Sequence, residues 1–267
     1  MVITLTTDFG TADAYVGAMK GAILSIAPQA RIVDISHAIP PQDILSAGLV
    51  LESACRYFPQ GTIHVAVVDP GVGSSRAAIG IATDNYHFVG PDNGIFDLAL
   101  KVEKQRDPQA VLVDRRPIRL SNPSFHRRPV SPTFHGRDIF APVAAWLAAG
   151  NLLAHMGEPM DALVQLEVSR PRQTREGLLI HPLRADHFGN VITDLTAAEF
   201  STWNADRREA VIEIAGEEIE IRDTYSDVPR FEMFAYFGSG GRLEIGVNCG
   251  RAVDIIGLNA PMLLKLL

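Results

Sequence analysis

The sequence predicts an α/β protein in which a mostly parallel sheet domain is followed by a smaller, barrel-like β domain. Three observations support this prediction. Strand and helix patterns alternate at the start of the chain, short strands dominate its second part, and a segment without periodicity separates the two. The predicted boundaries are 1–160 for the N-terminal domain, 161–175 for the linker and 176–267 for the C-terminal domain.

The N-terminal domain begins with the order strand, helix, strand, helix, strand. This order predicts a mostly parallel sheet with right-handed crossovers. The predicted strands are 2–7, 31–36 and 64–68, and the predicted helices are 13–27 and 43–58. Further along, the patterns predict strands at 77–82 and 86–89, a helix at 95–102, a long connection over 103–132 and an apolar helix at 139–149.

The C-terminal domain is predicted to be a small antiparallel barrel or sandwich. Isoleucines alternate with acidic residues on both sides of Gly216-Glu217, which is typical of a β-hairpin. The predicted strands are 177–183, 191–194, 210–222, 231–238, 242–248 and 252–257.

Composition narrows the class of protein. The chain has 267 residues, of which 47% are hydrophobic and 21% charged, and its formal net charge of −7 argues against an electrostatic nucleic-acid binder. The sequence has no basic, apolar leader and no apolar run of membrane-spanning length, so we expect a cytoplasmic protein without a membrane partner. Cys55 and Cys249 fit neither a metal site nor a disulfide framework.

Asp69 is the first candidate for chemistry. It ends the apolar strand 64–68 and opens the turn Asp69-Pro70-Gly71-Val72-Gly73. A carboxylate at the end of a buried strand is costly without a partner, and Arg76 is the nearest candidate. Because ligands bind beyond the carboxyl ends of strands in open α/β sheets, a functional site is predicted here. The alternative, that Asp69 only caps its own turn, stays open.

Two further acids follow predicted strands or lie within them. Asp8 precedes a helix start, where a carboxylate can bind both hydroxyls of a ribose or cap the helix. Asp13 is the better placed helix cap, which leaves Asp8 without a structural role. Asp34 lies within its strand segment and is expected to be mainly structural.

His135 and the turn 186–190 complete the candidates. His135 stands at a helix start beside Gly136, where backbone can approach a ligand closely. The turn Asp186-His187-Phe188-Gly189-Asn190 offers a carboxylate for an amine, an aromatic ring for stacking and an amide suited to a purine edge, although a plain hairpin turn is an equal alternative. Metal-ligand spacings and a phosphate loop are missing from the sequence, so neither a metal nor a cofactor is predicted.

Six short sequence blocks occur in a fixed order along the chain, and together they indicate a protein family far more specifically than any single motif does. They are TTDFG at 6–10, VVDPGVGSSR at 67–76, PDNG at 91–94, PTFHGRD at 132–138, DHFGNV at 186–191 and GRLEIGVN at 241–248. Through them the sequence closely resembles the S-adenosyl-L-methionine (SAM) hydroxide adenosyltransferases, or SAM hydrolases, which are relatives of the SAM-dependent fluorinase and chlorinase.

The resemblance implies an enzyme that cleaves SAM to adenosine and L-methionine, with water attacking ribose C5′ and no cofactor. It also implies a homotrimer with active sites between subunits. By motif, the family's catalytic triad falls on Asp69, Arg76 and His135. The other implied contacts are Asp8 for the ribose diol, Asp186 for the methionine amino group, Asn190 for adenine, Phe134 and Tyr225 as nucleoside walls, and Ser239 for the methionine carboxylate. Substrate contacts are also expected from Phe9, Asp13, Gly136, Phe188 and Asn248.

Differences from the fluorinase favour water over halide as the nucleophile. The fluorinase has Tyr in place of Asp69, Tyr in place of His135 and Ser in place of Gly136. Gly240 stands where the fluorinase has an arginine beside the methionine carboxylate, so Arg242 is the hypothetical ligand of that carboxylate here. Gln42 stands where the fluorinase has a tryptophan that forms one wall of the pocket. The alternatives are a SAM-dependent halogenase, a non-catalytic SAM or adenosine binder and a divalent-metal phosphoesterase.

Overall fold

A computed structural model describes residues 1–106, 116–206, 208–214 and 216–267. The chain forms two compact units, Met1–Glu167 and Val168–Leu267, and the division between them falls within the segment 161–175. Parts of two sequence predictions, residues 107–115 in the connection and Ala215 in the strand 210–222, lie outside the described residues.

The first unit contains a seven-stranded mixed sheet. Its strands are β1 (Val2–Thr7), β2 (Arg31–Ser36), β3 (Thr62–Val67), β4 (Ala78–Ala82), β5 (Tyr86–Pro91), β6 (Ile118–Arg119) and β7 (Glu158–Pro159). Their spatial order is β2-β1-β3-β5-β4-β6-β7. The pairings among β2, β1, β3 and β5 are parallel, and those that add β4, β6 and β7 are antiparallel. The predicted α/β class is confirmed, with an antiparallel extension on one side of the parallel strands.

Among the described residues of this unit, four helices cover the two faces of the sheet. They are α1 (Tyr15–Ile26), α2 (Ile44–Ala54), α3 (Asp97–Arg106) and α4 (Ala141–Ala148), and a π-helical turn at Gly136–Phe140 leads into α4. Short 3₁₀ turns lie at Cys55–Tyr57, Pro123–Phe125 and Leu153–Met156. Successive residues of β3 alternate between a core shared with α1 and α4 and a core shared with α2 and α3. The sheet therefore separates two apolar layers, as its buried β-branched strands require.

Local capping differs from the prediction for α1. Ala14 precedes this helix and no side chain caps it, so the predicted capping role of Asp13 is wrong. By contrast, Asp43 caps α2 by accepting a hydrogen bond from the backbone N–H of Ser46 at 2.9 Å. Asp34 has the expected structural role, because it forms an ion pair with Lys20 at 2.6 Å.

The second unit is built from two antiparallel sheets around one core. Its strands are β8 (Arg172–Gln173), β9 (Leu178–Ile180), β10 (Pro182–Ala185), β11 (Val191–Thr196), β12 (Ala210–Ile214), β13 (Glu217–Glu220), β14 (Met233–Phe237), β15 (Arg242–Val247) and β16 (Met262–Leu266). The sheet orders are β10-β11-β15-β14 and β13-β12-β16-β9-β8. Apolar residues of both sheets, such as Ile245 and Leu264, belong to a single buried cluster. The predicted hairpin around Gly216-Glu217 is confirmed as the β12–β13 pair.

Several assignments in the second unit differ from the sequence prediction, and one of them is strand β8, which lies in the predicted linker 161–175. The predicted strand 252–257 is the short helix α6 (Ala252–Ile256), because a short apolar run fits a helical turn as well as a strand. Helix α5 (Ala197–Trp203) and strand β16 were not predicted. Among the described residues, no helix is long and apolar enough to span a membrane.

His64 in β3 makes the stability of the protein depend on pH. Its imidazole is fully buried among the rings of Phe58, Tyr86 and Phe88, with Nδ1 2.8 Å from Oγ1 of Thr4. Burial lowers the pKa of His64 from 6.5 to about 4. Between these values the unfolded chain binds more protons, so the free energy of unfolding falls as the pH is lowered from 6.5 to 4, by about 3 kcal/mol in total.

Urea unfolding at a series of pH values tests this expectation. The difference in unfolding free energy between the parent and His64→Leu should change by about 3 kcal/mol across the window, because leucine has no proton to bind. Parallel pH profiles for the two proteins would contradict the assignment.

Candidate active site

Asp69 and Arg76 form a nearly buried ion pair at the carboxyl end of β3. Nε of Arg76 donates to Oδ1 of Asp69 at 2.8 Å, and Nη2 donates to Oδ2, so the pairing is bidentate. The exposed fractions of the two side chains are 6% for Asp69 and 11% for Arg76. The guanidinium also lies over the ring of Phe140, 5.3 Å from its centroid. This pair offsets the cost of placing the Asp69 carboxylate at the end of a buried strand.

His135 joins this pair from a distant part of the chain. Its Nδ1 lies 2.8 Å from Nη2 of Arg76. A guanidinium only donates, so Nδ1 accepts this hydrogen bond and the imidazole proton is on Nε2. Burial and the positive charge of Arg76 lower the pKa of His135. The imidazole is therefore neutral at pH 7, with a single donor, Nε2–H, remaining for a ligand or water.

Glycines allow the turn after β3 to approach the segment that carries His135. Gly73 has φ +78°, and a Cβ atom at this position would lie 2.7 Å from the carbonyl oxygen of Pro132. A Cβ atom at Gly71 would lie 3.2 Å from Cγ of Arg76. A larger residue at Gly73 would separate the Asp69 turn from the 131–135 segment, and one at Gly71 would crowd the Arg76 side chain within the turn itself.

Asp138 anchors the segment from 131 to 138. Its side chain is fully buried and accepts hydrogen bonds from Nε and Nη2 of Arg137 at 2.6 and 2.7 Å and from the backbone N–H of Ser131 at 2.8 Å. Burial raises the pKa of Asp138, but the hydrogen bonds from Arg137 and Ser131 and the charge of Arg137 outweigh it and lower the pKa overall. Arg137 in turn lies over the ring of Phe134 at 4.9 Å. Neither Arg137 nor Asp138 was a predicted site residue.

A cavity of about 420 Å³ opens at this end of the sheet, within the size range of small-molecule sites. The rings of Phe9, Tyr15 and Phe134 contact one another with centroid distances of 5.4 to 5.8 Å. The cavity is lined by Asp8, Phe9, Tyr15, Gln42, Val67, Asp69, Pro70, Val72, Thr133, Phe134, His135 and Gly136. Six of these were predicted site residues: Asp8, Phe9, Asp69, Phe134, His135 and Gly136.

Two predicted residues are placed differently from the sequence argument. Asp8 has a structural partner, because its Oδ2 accepts a hydrogen bond from the backbone N–H of Gln42 at 2.9 Å. Gln42 itself has φ +67°, a conformation that non-glycine residues seldom adopt. A carboxylate has about four acceptor positions, so this bond leaves Asp8 able to accept from a ligand. Asp13 is exposed and is not part of the cavity lining.

Tyr15 is a lining residue that the sequence analysis missed. Half of its surface is exposed although it starts a helix and contacts Phe9 and Phe134. The sequence did contain a signal for Tyr15, because an aromatic residue stands there at the start of the helix that follows the candidate acid Asp8.

The second unit gathers several other predicted residues near the turn between β10 and β11. Asp186 accepts from the backbone N–H of Asn190 at Oδ1 and from its side-chain Nδ2 at Oδ2, both at 2.8 Å. Asp186 therefore closes the hairpin turn, which was the structural alternative for this segment. Asn190 is buried, whereas Phe188 is 72% exposed.

A row of oxygen atoms continues from Asn190 across this sheet. Oδ1 of Asn190 lies 2.9 Å from Oη of Tyr225, which lies 2.9 Å from Oη of Tyr236, which lies 2.7 Å from Oε2 of Glu244. Tyr236 and Glu244 face each other across the β14–β15 pair. Neither Tyr236 nor Glu244 was a predicted site residue. The register of the β14–β15 hairpin was the signal that could have predicted their contact.

The remaining predictions for the second unit lie at the ends of β15. Ser239 is exposed in the turn 238–241 that precedes the strand. Asn248 follows the strand and donates from Nδ2 to the carbonyl oxygen of Val228 at 2.8 Å. Arg242, the hypothetical carboxylate ligand, is buried and donates from Nη1 to the carbonyl oxygen of Asp194 at 3.2 Å.

Cysteine and metal chemistry find little support in the described ranges. Across them, no three His, Cys, Asp or Glu side chains are grouped to hold a metal ion. Cys55 is buried, Cys249 is exposed, and neither forms a disulfide. Burial raises the pKa of the Cys55 thiol to about 11, so this thiol is not a nucleophile at neutral pH.

Sequence comparison assigns both units to one class of protein. Residues 3–157 match the SAM hydroxide adenosyltransferase N-terminal domain, and residues 183–263 match the C-terminal domain of the same family. The chain belongs to the SAM hydroxide adenosyltransferase family.

Relatives and solved structures refine this placement. The chain is 38% identical over 263 residues to (R)-S-adenosyl-L-methionine hydrolase of Thermus thermophilus, covering 98% of this chain and 97% of the relative. A fluorinase of Nocardia brasiliensis is 24% identical over 279 residues, covering 92% and 90%. The crystal structure of an uncharacterized conserved protein from Thermotoga maritima has a TM-score of 0.85 at 32% identity, covering 99% of this chain and all of that one.

Proposed function

We propose that this protein hydrolyses SAM to adenosine and L-methionine, with water as the nucleophile at ribose C5′. The observation that carries the proposal is that Asp69 and His135 line a small-molecule cavity and that Arg76 forms hydrogen bonds with both of them. Membership of the SAM hydroxide adenosyltransferase family and the hydrolase relative in Thermus thermophilus support the same reaction.

The main chemical difficulty of this reaction is the weakness of water as a nucleophile. The bond from the water oxygen to C5′ forms while the C5′–S bond breaks, and its electron pair returns to sulfur. The sulfonium leaves as a neutral thioether, so no general acid is needed. Because positive charge is lost, a weakly polar wall such as the Phe9, Tyr15 and Phe134 rings favours the transition state.

Asp69, Arg76 and His135 activate the water molecule, which is a poor nucleophile by itself. In this proposal Asp69 orients the water and accepts its proton, which is then released to solvent. Arg76 provides the positive charge that stabilises developing hydroxide. His135, whose Nδ1 is engaged by Arg76, donates from Nε2 to the same oxygen.

The proposed substrate contacts are those that the resemblance implies. Asp8 is proposed to bind the ribose diol, Asp186 the methionine amino group, Asn190 the adenine and Ser239 the methionine carboxylate, as the resemblance implies. SAM is the substrate, and neither a metal nor another cofactor is part of the proposal. A homotrimer with sites between subunits is what the resemblance implies, and sedimentation equilibrium can test it. A cytoplasmic location stays a prediction.

Chromatography of the purified protein with SAM in halide-free buffer containing EDTA tests the function. We expect adenosine and methionine in equal amounts. Intact SAM with bound nucleoside would instead support a non-catalytic binder, and product that forms only with added chloride would support a halogenase. A divalent-metal phosphoesterase would leave SAM intact, because SAM contains no phosphate ester, and would cleave a phosphate ester only when EDTA is absent.

A further inference from the structure

The row of oxygen atoms from Asn190 to Glu244 has too few hydrogen atoms for each of its contacts to be a hydrogen bond. It contains three oxygen–oxygen contacts of 2.7 to 2.9 Å, but only the hydroxyl groups of Tyr225 and Tyr236 bring hydrogen atoms to them. With Glu244 ionised, one contact would join two oxygen atoms with no proton between them. One added proton gives every contact a hydrogen bond.

Reversing the Asn190 amide does not remove this requirement. Nδ2 of Asn190 would then donate to Tyr225, but Oδ1 would face Oδ2 of Asp186 at 2.8 Å with no hydrogen atom between them. The proton would be needed on Asp186 instead of Glu244. Both arrangements of the five side chains therefore hold one extra proton.

The surroundings place that proton on Glu244. Asp186 accepts a backbone N–H from Asn190, and this bond stabilises its ionised form. The Glu244 carboxyl is enclosed so closely that a Cβ atom at Gly238 would lie 1.9 Å from Oε1. Burial raises the pKa of Glu244 and the charge of Asp186 raises it further, whereas a hydrogen bond that Tyr236 would donate to the ionised carboxylate and the charge of Arg184 lower it.

We propose that Glu244 is a neutral carboxylic acid at pH 7 and, as a positioning residue, fixes the orientation of the Asn190 amide. Its O–H donates to Tyr236, whose O–H donates to Tyr225, whose O–H donates to Oδ1 of Asn190. Nδ2 of Asn190 is thereby turned toward Asp186. This inference rests on the proposed function for its consequence: the amide presents one defined donor and acceptor pattern to the nucleobase of SAM.

Steady-state kinetics with SAM over a range of pH test the consequence. Glu244→Gln retains a neutral N–H donor to Tyr236, whereas Glu244→Ala and Tyr236→Phe interrupt the row. We expect KM about fivefold to tenfold higher in the two interrupting variants than in Glu244→Gln, with kcat much less affected. The parental KM should rise at alkaline pH as Glu244 ionises, and Glu244→Gln should lack that rise.

Glu213→Gln is the matched control, because Glu213 is partly exposed and pairs with Lys265 on the other sheet. It should leave both KM and its pH profile at parental values. Equal KM increases in Glu244→Gln and Glu244→Ala, or a pH profile that Glu244→Gln leaves unchanged, would overturn the proposed positioning.

Infrared spectroscopy tests the protonation without any substrate. At pH 7 the parent should show the C=O stretch of a protonated carboxyl group, and Glu244→Gln should lack it while Glu213→Gln retains it. If this band is missing from the parent, the inference fails even when SAM is hydrolysed. If the band is present but SAM remains intact, the protonation holds and the proposed function fails.

Discussion

Asp69→Asn is expected to lower the turnover of SAM by at least about tenfold to a hundredfold. The amide removes the group proposed to accept the water proton and puts an N–H₂ where Arg76 donates. Arg76→Ala and His135→Ala should reduce turnover by similar factors, because each removes a donor from the same cluster. Product formation measured by chromatography at saturating SAM checks this expectation.

Two matched variants separate catalysis from binding. Arg76→Lys keeps a positive charge but cannot pair with Asp69 in the bidentate geometry, so turnover should still fall. Asp8→Ala should instead raise KM and leave kcat largely unchanged, since Asp8 is proposed to hold the ribose. Parental turnover in Asp69→Asn would show that the role given to this carboxylate is wrong.

Asp138→Ala is expected to lower the free energy of unfolding by about 1 to 3 kcal/mol, the range for leaving hydrogen-bond donors without their buried acceptor. The change leaves Arg137 without its two hydrogen bonds and the Ser131 N–H without its acceptor. Because the segment anchored by Asp138 carries His135, activity should fall as well. Urea denaturation followed by circular dichroism measures the loss of stability.

Asp161→Ala is the control for this prediction. Asp161 is 93% exposed and pairs with Arg116 at 3.3 Å, so its removal should change the free energy of unfolding by less than about 1 kcal/mol. Similar losses in the two variants would contradict the anchoring role of Asp138.

The order of the strands and helices from β1 to α3 could be predicted from the sequence, whereas the two-residue strands β6 and β7 of the first unit could not. Runs such as Thr62–Val67 have a period and composition that fit one kind of element. The sequence also located the turn after β3 and the hairpin around Gly216-Glu217, because Pro and Gly restrict the backbone over a few residues. Arg76 could be predicted as the partner of Asp69 since only one turn separates them.

Other features were decided by the tertiary structure alone. The contacts of His135 with Arg76, Asp8 with Gln42 and Tyr225 with Asn190 join residues 59, 34 and 35 positions apart. Local preferences extend over a few residues, so they cannot fix which distant side chains meet or which atom of an imidazole carries the proton. Those outcomes depend on how the sheets and helices pack, because burial sets both the distances and the protonation of the polar groups enclosed.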